Sequence, residues 1–474
     1  MKNFYSYLAI FASWVTARIY VYFYNWQYFY EDAKDDSAFV MWYMPVDLIR
    51  QNLIDSLIYL RGEPPLPQII LGLLMKLFGW PFSIPADSLL LSAITLLNAF
   101  FMRNILLRYQ LNPTAATIVC VLWCIYPANL GVEVSAFPIS FYEALPGFIF
   151  TMSLWLYLKC FDNEPLKNQS FKYTWLFGVS CALLSMSRST LSWIFILPIM
   201  AVLIVPGDKK KIAAGFIAIT IQLIWALKNY AVYGQFNLET ASDVGQNIFS
   251  TILNTGNYDD FYSYTINKNP GDPFVTIGIP CLAAYNLPCL ENLFPDSKKS
   301  DTALESKLSL DENLHGESYV FHDFSKKLKP LYADYLIHNP EVALKMIGKS
   351  YVLFWGNIYW QVSYIKGLDA DPLILGLNAC MEKYKILNIL AIHSVGILAF
   401  IAIFISFARQ KSISNLSAGF LYASLAFSYV AIISSLGDHG ENARYRVDVE
   451  SLVWLLPFMA YRCLQQIKAV PQRV

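Results

Sequence analysis

Apolar stretches long enough to cross a bilayer limit what this 474-residue chain can fold into more than any motif does. A crossing helix takes about 20 mostly apolar residues, and only helices or closed barrels satisfy their backbone polar groups in hydrocarbon. Ten stretches meet that length, at about residues 6–24, 88–107, 114–132, 139–159, 171–188, 189–206, 211–231, 386–408, 415–436 and 449–466. Two others do not: 66–78 is short, and 342–360 is interrupted by Lys345, Lys349 and Gly356. Composition agrees, with 56% hydrophobic and 15% charged residues and a mean hydropathy of +0.41. The expected fold class is an all-α polytopic membrane bundle of about ten transmembrane helices, up to twelve. A formal net charge of +0 gives no case for a nucleic-acid partner.

Charge placement orients these spans. The first apolar run, Tyr7 to Tyr24, carries Arg18 and has no small-x-small cleavage site, so it reads as a retained span rather than a signal peptide. With the amino terminus inside and both short segments on the surface, Arg103 and Arg108, Lys159 with Lys167 and Lys172, Lys209 to Lys211, Arg409 with Lys411 and the basic tail all fall on the cytoplasmic side. That is the positive-inside pattern. It divides the chain into an N-terminal module, 1–231, whose first external loop (25–87) holds juxtamembrane helices. A long external loop, 232–385, and C-terminal helices, 386–474, complete it. In the long loop, Phe274 to Leu293 and Tyr319 to Leu336 are expected to pack into a small cap, with the charged stretch Asp296 to Glu317 mobile between them. Cys281 and Cys289 share this loop, and an oxidising compartment favours a disulfide between them. The other cysteines lie in or beside apolar runs and read as small buried hydrophobes.

Chemistry is expected in the first external loop. It carries the acidic, aromatic stretch Tyr30-Glu31-Asp32-Ala33-Lys34-Asp35-Asp36-Ser37, then Arg61-Gly62-Glu63-Pro64-Pro65-Leu66. Such acids are either solvated surface or a general base, which needs hydrogen-bond reach of the hydroxyl it deprotonates. Pro64-Pro65 fixes where the helix over 66–78 begins, because Pro is tolerated in a first helical turn. The aromatic residues between Tyr20 and Tyr43 form a membrane-interface belt or stack on a sugar. No histidine pair has metal-ligand spacing, although a divalent cation among the acids is open.

The order of these features resembles the GT-C superfamily of integral membrane glycosyltransferases. The similar branch holds the dolichyl-phosphate-mannose-protein mannosyltransferases and the bacterial transferases that use polyprenyl-phosphate sugars. The resemblance rests on Asp35-Asp36-Ser37-Ala38, on Gly62-Glu63-Pro64-Pro65-Leu66 through Lys76-Leu77-Phe78-Gly79, and on the Arg188 segment Leu184 to Leu191. Lys228-Asn229-Tyr230 to Phe236 and Gly440-Glu441-Asn442-Ala443-Arg444-Tyr445-Arg446 add to it. The chain departs from the family in having Glu63 where His or Lys often precedes Pro-Pro, and Asp-Asp where Asp-Glu is commoner. The resemblance implies an inverting transferase of the cell envelope, in a bacterial plasma (inner) membrane with its site facing outside. A sugar would pass from a polyprenyl-phosphate donor to an unknown acceptor. Asp35, with Asp36 next, would be the base, and Arg188, Arg444, Arg446, Glu63 and Arg61 would shape the donor phosphate site. A lipid-linked sugar transporter or flippase, a glycan polymerase or ligase, and a noncatalytic scaffold are the other readings. Arg18 stands behind those arginines as a further candidate, and the ordinary reading of each arginine is that it snorkels to the headgroups.

Overall fold

The computed structural model describes residues 2–32, 44, 46–60, 64–79, 83–134, 139–160, 167–191, 194, 212–233, 236, 252, 257–284, 287–308, 319–355, short pieces between 389 and 404, 414–437 and 442–468. Among them every regular element is a helix. α1 (Lys2–Asp32) outruns the expected first span and takes Glu31 and Asp32 into its last turn. Three short helices follow in the first loop: α2 (Val46–Gln51), α3 (Leu53–Tyr59) and α4 (Pro65–Phe78). As expected from the sequence, α4 starts at Pro65; it ends at Gly79, whose φ of 76° suits a residue without Cβ.

The bundle continues with α5 (Ser83–Arg108), α6 (Pro113–Cys124), α7 (Pro127–Val134), α8 (Ile139–Cys160), α9 (Lys167–Ser185) and α10 (Ile212–Tyr233). The Asn112 side chain accepts from Thr114 N at 2.9 Å and Pro113 opens the helix, so α6 starts on a side-chain cap and a preset φ. Four helical stretches among the described residues are long and apolar enough to cross a membrane: Ala86–Arg108, Pro113–Gly131, Ala214–Tyr233 and Asn415–Ser435. They coincide with four of the expected spans and fit an integral membrane protein. α1, α8, α9 and α19 (Glu450–Lys468) occupy the stretches expected at 6–24, 139–159, 171–188 and 449–466. Most of 189–206 and part of 386–408 lie outside the described residues, as does Lys209 to Lys211.

The bundle core runs through α4, α5, α6, α8, α9, α17 (Asn415–Gly437) and α19. Small residues let backbones close up. A Cβ on Gly178 would stand 2.6 Å from the Ala214 carbonyl oxygen, so α9 and α10 pack there only because that atom is missing. Polar side chains join helices inside the core: Ser153 Oγ meets Tyr422 OH at 2.8 Å, and Tyr109 OH donates to Leu416 O at 2.6 Å. Large apolar side chains such as Phe216, Leu223 and Ile224 on α10 point outward, as they do where lipid is the solvent.

A second core belongs to the long loop. It comprises α11 (Tyr258–Lys268), a π-helical turn at Phe274–Gly278 running into α12 (Ile279–Ala283), α13 (Leu287–Leu293), α14 (Pro295–Leu308) and α15 (Tyr319–His338). Phe261, Phe274, Phe294 and Phe324 fill it, and Cys281 and Cys289 form the expected disulfide, Cα to Cα 5.9 Å. Where the charged run from Asp296 was expected to be mobile, its first part is helix α14. Asp301 on that helix accepts from Tyr319 N at 2.6 Å and Val320 N at 3.3 Å, thereby capping α15 from outside. α16 (Pro340–Phe354) leads from this cap to the bundle, with Met346 in the cap core and Phe354 in the bundle core.

Candidate functional site

Among the described residues three buried ion pairs join the helices, and each holds an arginine raised by the sequence: Arg188 and Arg446 as candidates for the donor phosphate, and Arg18 behind them. Arg188 follows the end of α9, where Met186 N bonds Ala182 O at 3.0 Å and closes the last turn. Its Nη1 donates to both carboxylate oxygens of Asp448 at 2.9 Å, with Asp448 fully buried. The guanidinium also stands 3.8 Å from the centroid of the Tyr445 ring, close enough for a cation–π contact.

Arg446 and Glu450 form the second pair, from α18 (Asn442–Val447) to the first residue of α19, with Nε donating to Oε2 at 2.9 Å. Tyr126 OH and Trp454 Nε1 each donate to the other Glu450 oxygen at 3.2 Å. The Arg446 guanidinium is held above its ordinary pKa. Burial works against the cation, and the Glu450 carboxylate, with Tyr126, more than offsets it.

Close backbone packing seats the turn between these pairs. A Cβ on Gly147 of α8 would come 3.1 Å from Val447 O, and Ser451 Oγ donates to Gly147 O at 3.2 Å. Ala128 of α7 packs on Val447 from the other side. The far end of α7 carries Glu133, which forms the third pair with Arg18. Arg18 Nε donates to Glu133 Oε2 at 3.0 Å and to Ser92 Oγ at 3.2 Å, and its Nη1 bonds Cys124 O. Arg18 is 4% exposed, so it is an interior clamp between α1, α5, α6 and α7 and does not snorkel.

The first loop reaches the same end of the bundle. Leu66 N, at the start of α4, donates to Met186 O at 2.9 Å, two residues before Arg188. Lys228 Nζ and Tyr233 OH of α10 donate to Leu60 O and Tyr59 O, each at 2.5 Å. The chain is therefore anchored on both sides of Arg61 and Glu63, which themselves lie outside the described residues, as do Asp35 and Asp36. Arg444 lies on α18, beside Tyr445. The stretches around Pro65, Arg188 and Arg444 to Arg446, far apart in sequence, thus meet.

Some residues here were not singled out by the sequence. Asp448 was read only as the end of the short external loop Gly437 to Asp448 and Glu450 only as part of the span at 449–466, although Arg446 and Glu450 stand four apart, a helical pairing distance. Asp87, read as the end of the first loop, lies inside α5; it is 2% exposed and its Oδ1 has no hydrogen-bond partner. Burial at the mouth of a span was the missing information.

An apolar cavity of about 310 Å³ opens between the 393–400 stretch, α17 and α19, lined by His393, Ile397, Phe400, Phe427 and Leu456 among others. The Trp355 ring packs 5.7 Å from both His393 and Phe427 of this lining, and the Arg446 guanidinium stands 5.8 Å from the Trp355 centroid. Among the described residues no group of three or more His, Cys, Asp or Glu could hold a metal ion. No protein-family model matches the chain, and neither does any curated protein or solved structure.

Proposed function

We propose that this protein is a multi-pass glycosyltransferase of the GT-C type, with about ten spans and its site on the non-cytoplasmic side of a bacterial plasma membrane. It moves a sugar from a polyprenyl-phosphate donor to an acceptor hydroxyl or amine. The observation that carries this reading is the meeting of the Pro65-Leu66 helix start with the Arg188 segment, and of Arg188 with the Tyr445 to Asp448 turn. Those three stretches are among the five that resemble the family.

In the proposed step the Asp35 carboxylate, with Asp36 beside it in sequence, takes the proton of the acceptor. The acceptor atom bonds to the anomeric carbon as the bond from that carbon to the phosphate oxygen breaks, which inverts the centre and releases polyprenyl phosphate. Positive charge in a water-poor site stabilises the phosphate as it leaves. Arg188, Arg444 and Arg446 supply that charge, with Arg61 and Glu63 shaping the site. The carboxylate partners of Arg188 and Arg446 hold the guanidinium planes in fixed orientations, and a guanidinium with five N–H donors can serve a carboxylate and a phosphate together. The apolar cavity beyond Trp355 suits the hydrocarbon tail of such a donor.

Release of polyprenyl phosphate from a labelled donor by the purified protein in nanodiscs tests the reading. Asp35→Asn is expected to abolish release while leaving the fold intact. Near-normal release by Asp35→Asn with Asp36→Asn would refute the assigned base. The buried pairs also favour a second reading, a lipid-linked sugar transporter, because ionisable residues inside a bundle often line a transport path. Translocation of an intact donor without release of polyprenyl phosphate would establish that reading instead.

A further inference from the structure

A small polar cavity lies inside the bundle between α5, α6, α7, α8 and the end of α18, and we propose that it binds one ordered water that braces the Trp123 ring. The cavity has a volume of about 20 Å³ and is lined by Thr95, Asn98, Trp123, Asn129, Gly147 and Val447 among others. Asn98 and Trp123 are each 4% exposed, and Asn98 Oδ1 and Trp123 Nε1 both lie buried without a hydrogen-bond partner. The two residues stand near the middle of Ala86–Arg108 and Pro113–Gly131, stretches long enough to cross a membrane, where lipid offers neither atom a hydrogen bond.

The chemistry of the two atoms selects the ligand. An indole N–H only donates and an amide oxygen only accepts. A cation here would face the N–H and an anion the amide oxygen, each unfavourably, whereas a water accepts from Trp123 and donates to Asn98. Thr95 Oγ1 donates its own proton to Leu91 O at 3.2 Å, so its lone pairs can take the second water proton. About three bonds are usual for a buried water, a cavity needs about 10–15 Å³ to hold one, and cavities that stay dry are apolar. Asn129 Nδ2 donates to Trp123 O at 2.9 Å, which fixes the main chain there; the ring N–H is left to the water. The Trp123 ring packs on Tyr126 and Trp454, with centroids 6.4 and 5.9 Å away. Those two side chains are the donors to Glu450, so the water sits beneath the group that orients the carboxylate of Arg446.

A crystal structure of the full-length protein grown from a lipid mesophase, at a resolution that shows ordered water, tests this. Density for one water is expected within hydrogen-bond distance of Asn98 Oδ1 and Trp123 Nε1. Its loss is expected in Asn98→Leu, which keeps the size of the side chain and removes the acceptor. Ultraviolet resonance Raman spectra give a second readout, because the difference between the protein and Trp123→Phe isolates this one indole. Its N–H-sensitive band is expected at the hydrogen-bonded position, and in the Asn98→Leu background it is expected to shift toward the position of a free N–H. A dry cavity in the wild-type map overturns the proposal, and so does a direct bond from Trp123 to Asn98. Density that persists unchanged in Asn98→Leu, or a Trp123 band already at the free position in the wild type, overturns it as well. The wild-type map decides the matter even where a variant does not fold.

Discussion

The bundle and the cap both use oppositely charged side chains, but in different dielectrics. In the bundle, Arg18–Glu133, Arg188–Asp448 and Arg446–Glu450 are all almost fully buried. In the cap, Lys268–Asp334 and Lys298–Glu291 stand half in water, and the core beneath is aromatic and tied by a disulfide. An ion inside the bundle cannot be left alone, since removing one member of a buried pair costs about 3–5 kcal/mol. An exposed pair contributes about 0–1 kcal/mol and is screened by salt. The bundle's pairs therefore fix which helices meet, whereas the cap relies on its core and its covalent link.

Breaking the buried pairs should give the largest effect. Asp448→Asn is expected to destabilise the bundle by about 3 kcal/mol, because it leaves Arg188 as a buried cation without its carboxylate. Thermal unfolding in detergent measures this, and an unchanged midpoint would remove the contrast between the two regions. Next comes the cap's link. Cys281→Ser with Cys289→Ser should loosen the cap by about 2 kcal/mol through the entropy of the short loop it frees. Hydrogen exchange should rise over α11 to α15 and stay level over α5 to α9.

A smaller effect of opposite sign is expected from Asp87→Asn. It removes a buried carboxyl whose Oδ1 has no partner, so the unfolding midpoint should rise by about the equivalent of 1 kcal/mol. A fall would mean that the carboxyl is held by a favourable contact. The smallest effect belongs to the pair on the cap surface. A hydrogen bond from the Lys268 ammonium holds Asp334 below its ordinary pKa, and the same bond raises Lys268. Stability from a depressed acid is present above its unfolded pKa and fades as pH falls through its folded value. Stability from a raised lysine is present below its unfolded pKa and fades as pH rises through its folded value. Protection from exchange over α11 and α15, taken relative to the intrinsic rate at each pH, should thus be greatest across neutral pH and fall slightly at both extremes. Asp334→Asn or high salt should flatten that profile.

Much of the helical plan could be read directly. The start of α4 follows from two prolines, Tyr319 to Leu336 was expected to pack in the cap where α15 lies, and the Cys281–Cys289 link follows from compartment logic and shared loop position. The pairings could not. Arg18 finds Glu133 across 115 positions and Arg188 finds Asp448 across 260, and no local pattern encodes such distances. The charged run from Asp296 misled for a different reason: its solvated face suggested mobility, while Asp301 on its other side caps a helix and Leu304 is buried. Of the proposed site, the sequence named Arg188 and Arg446 but not the carboxylates that orient them. It placed Asp87 in a loop, because only packing reveals that this position is closed to water.

The join between Leu66 N and Met186 O is made entirely of main-chain atoms. Any residue but proline at 66, and any residue at 186, can make it, so the fastening between the first loop and the arginine segment leaves no trace as a preferred pair of side chains. Comparing relatives position by position would overlook it. Changing the number of residues between Pro64 and Leu66 would not, because a shift of register moves the donor off its acceptor whatever the side chains are.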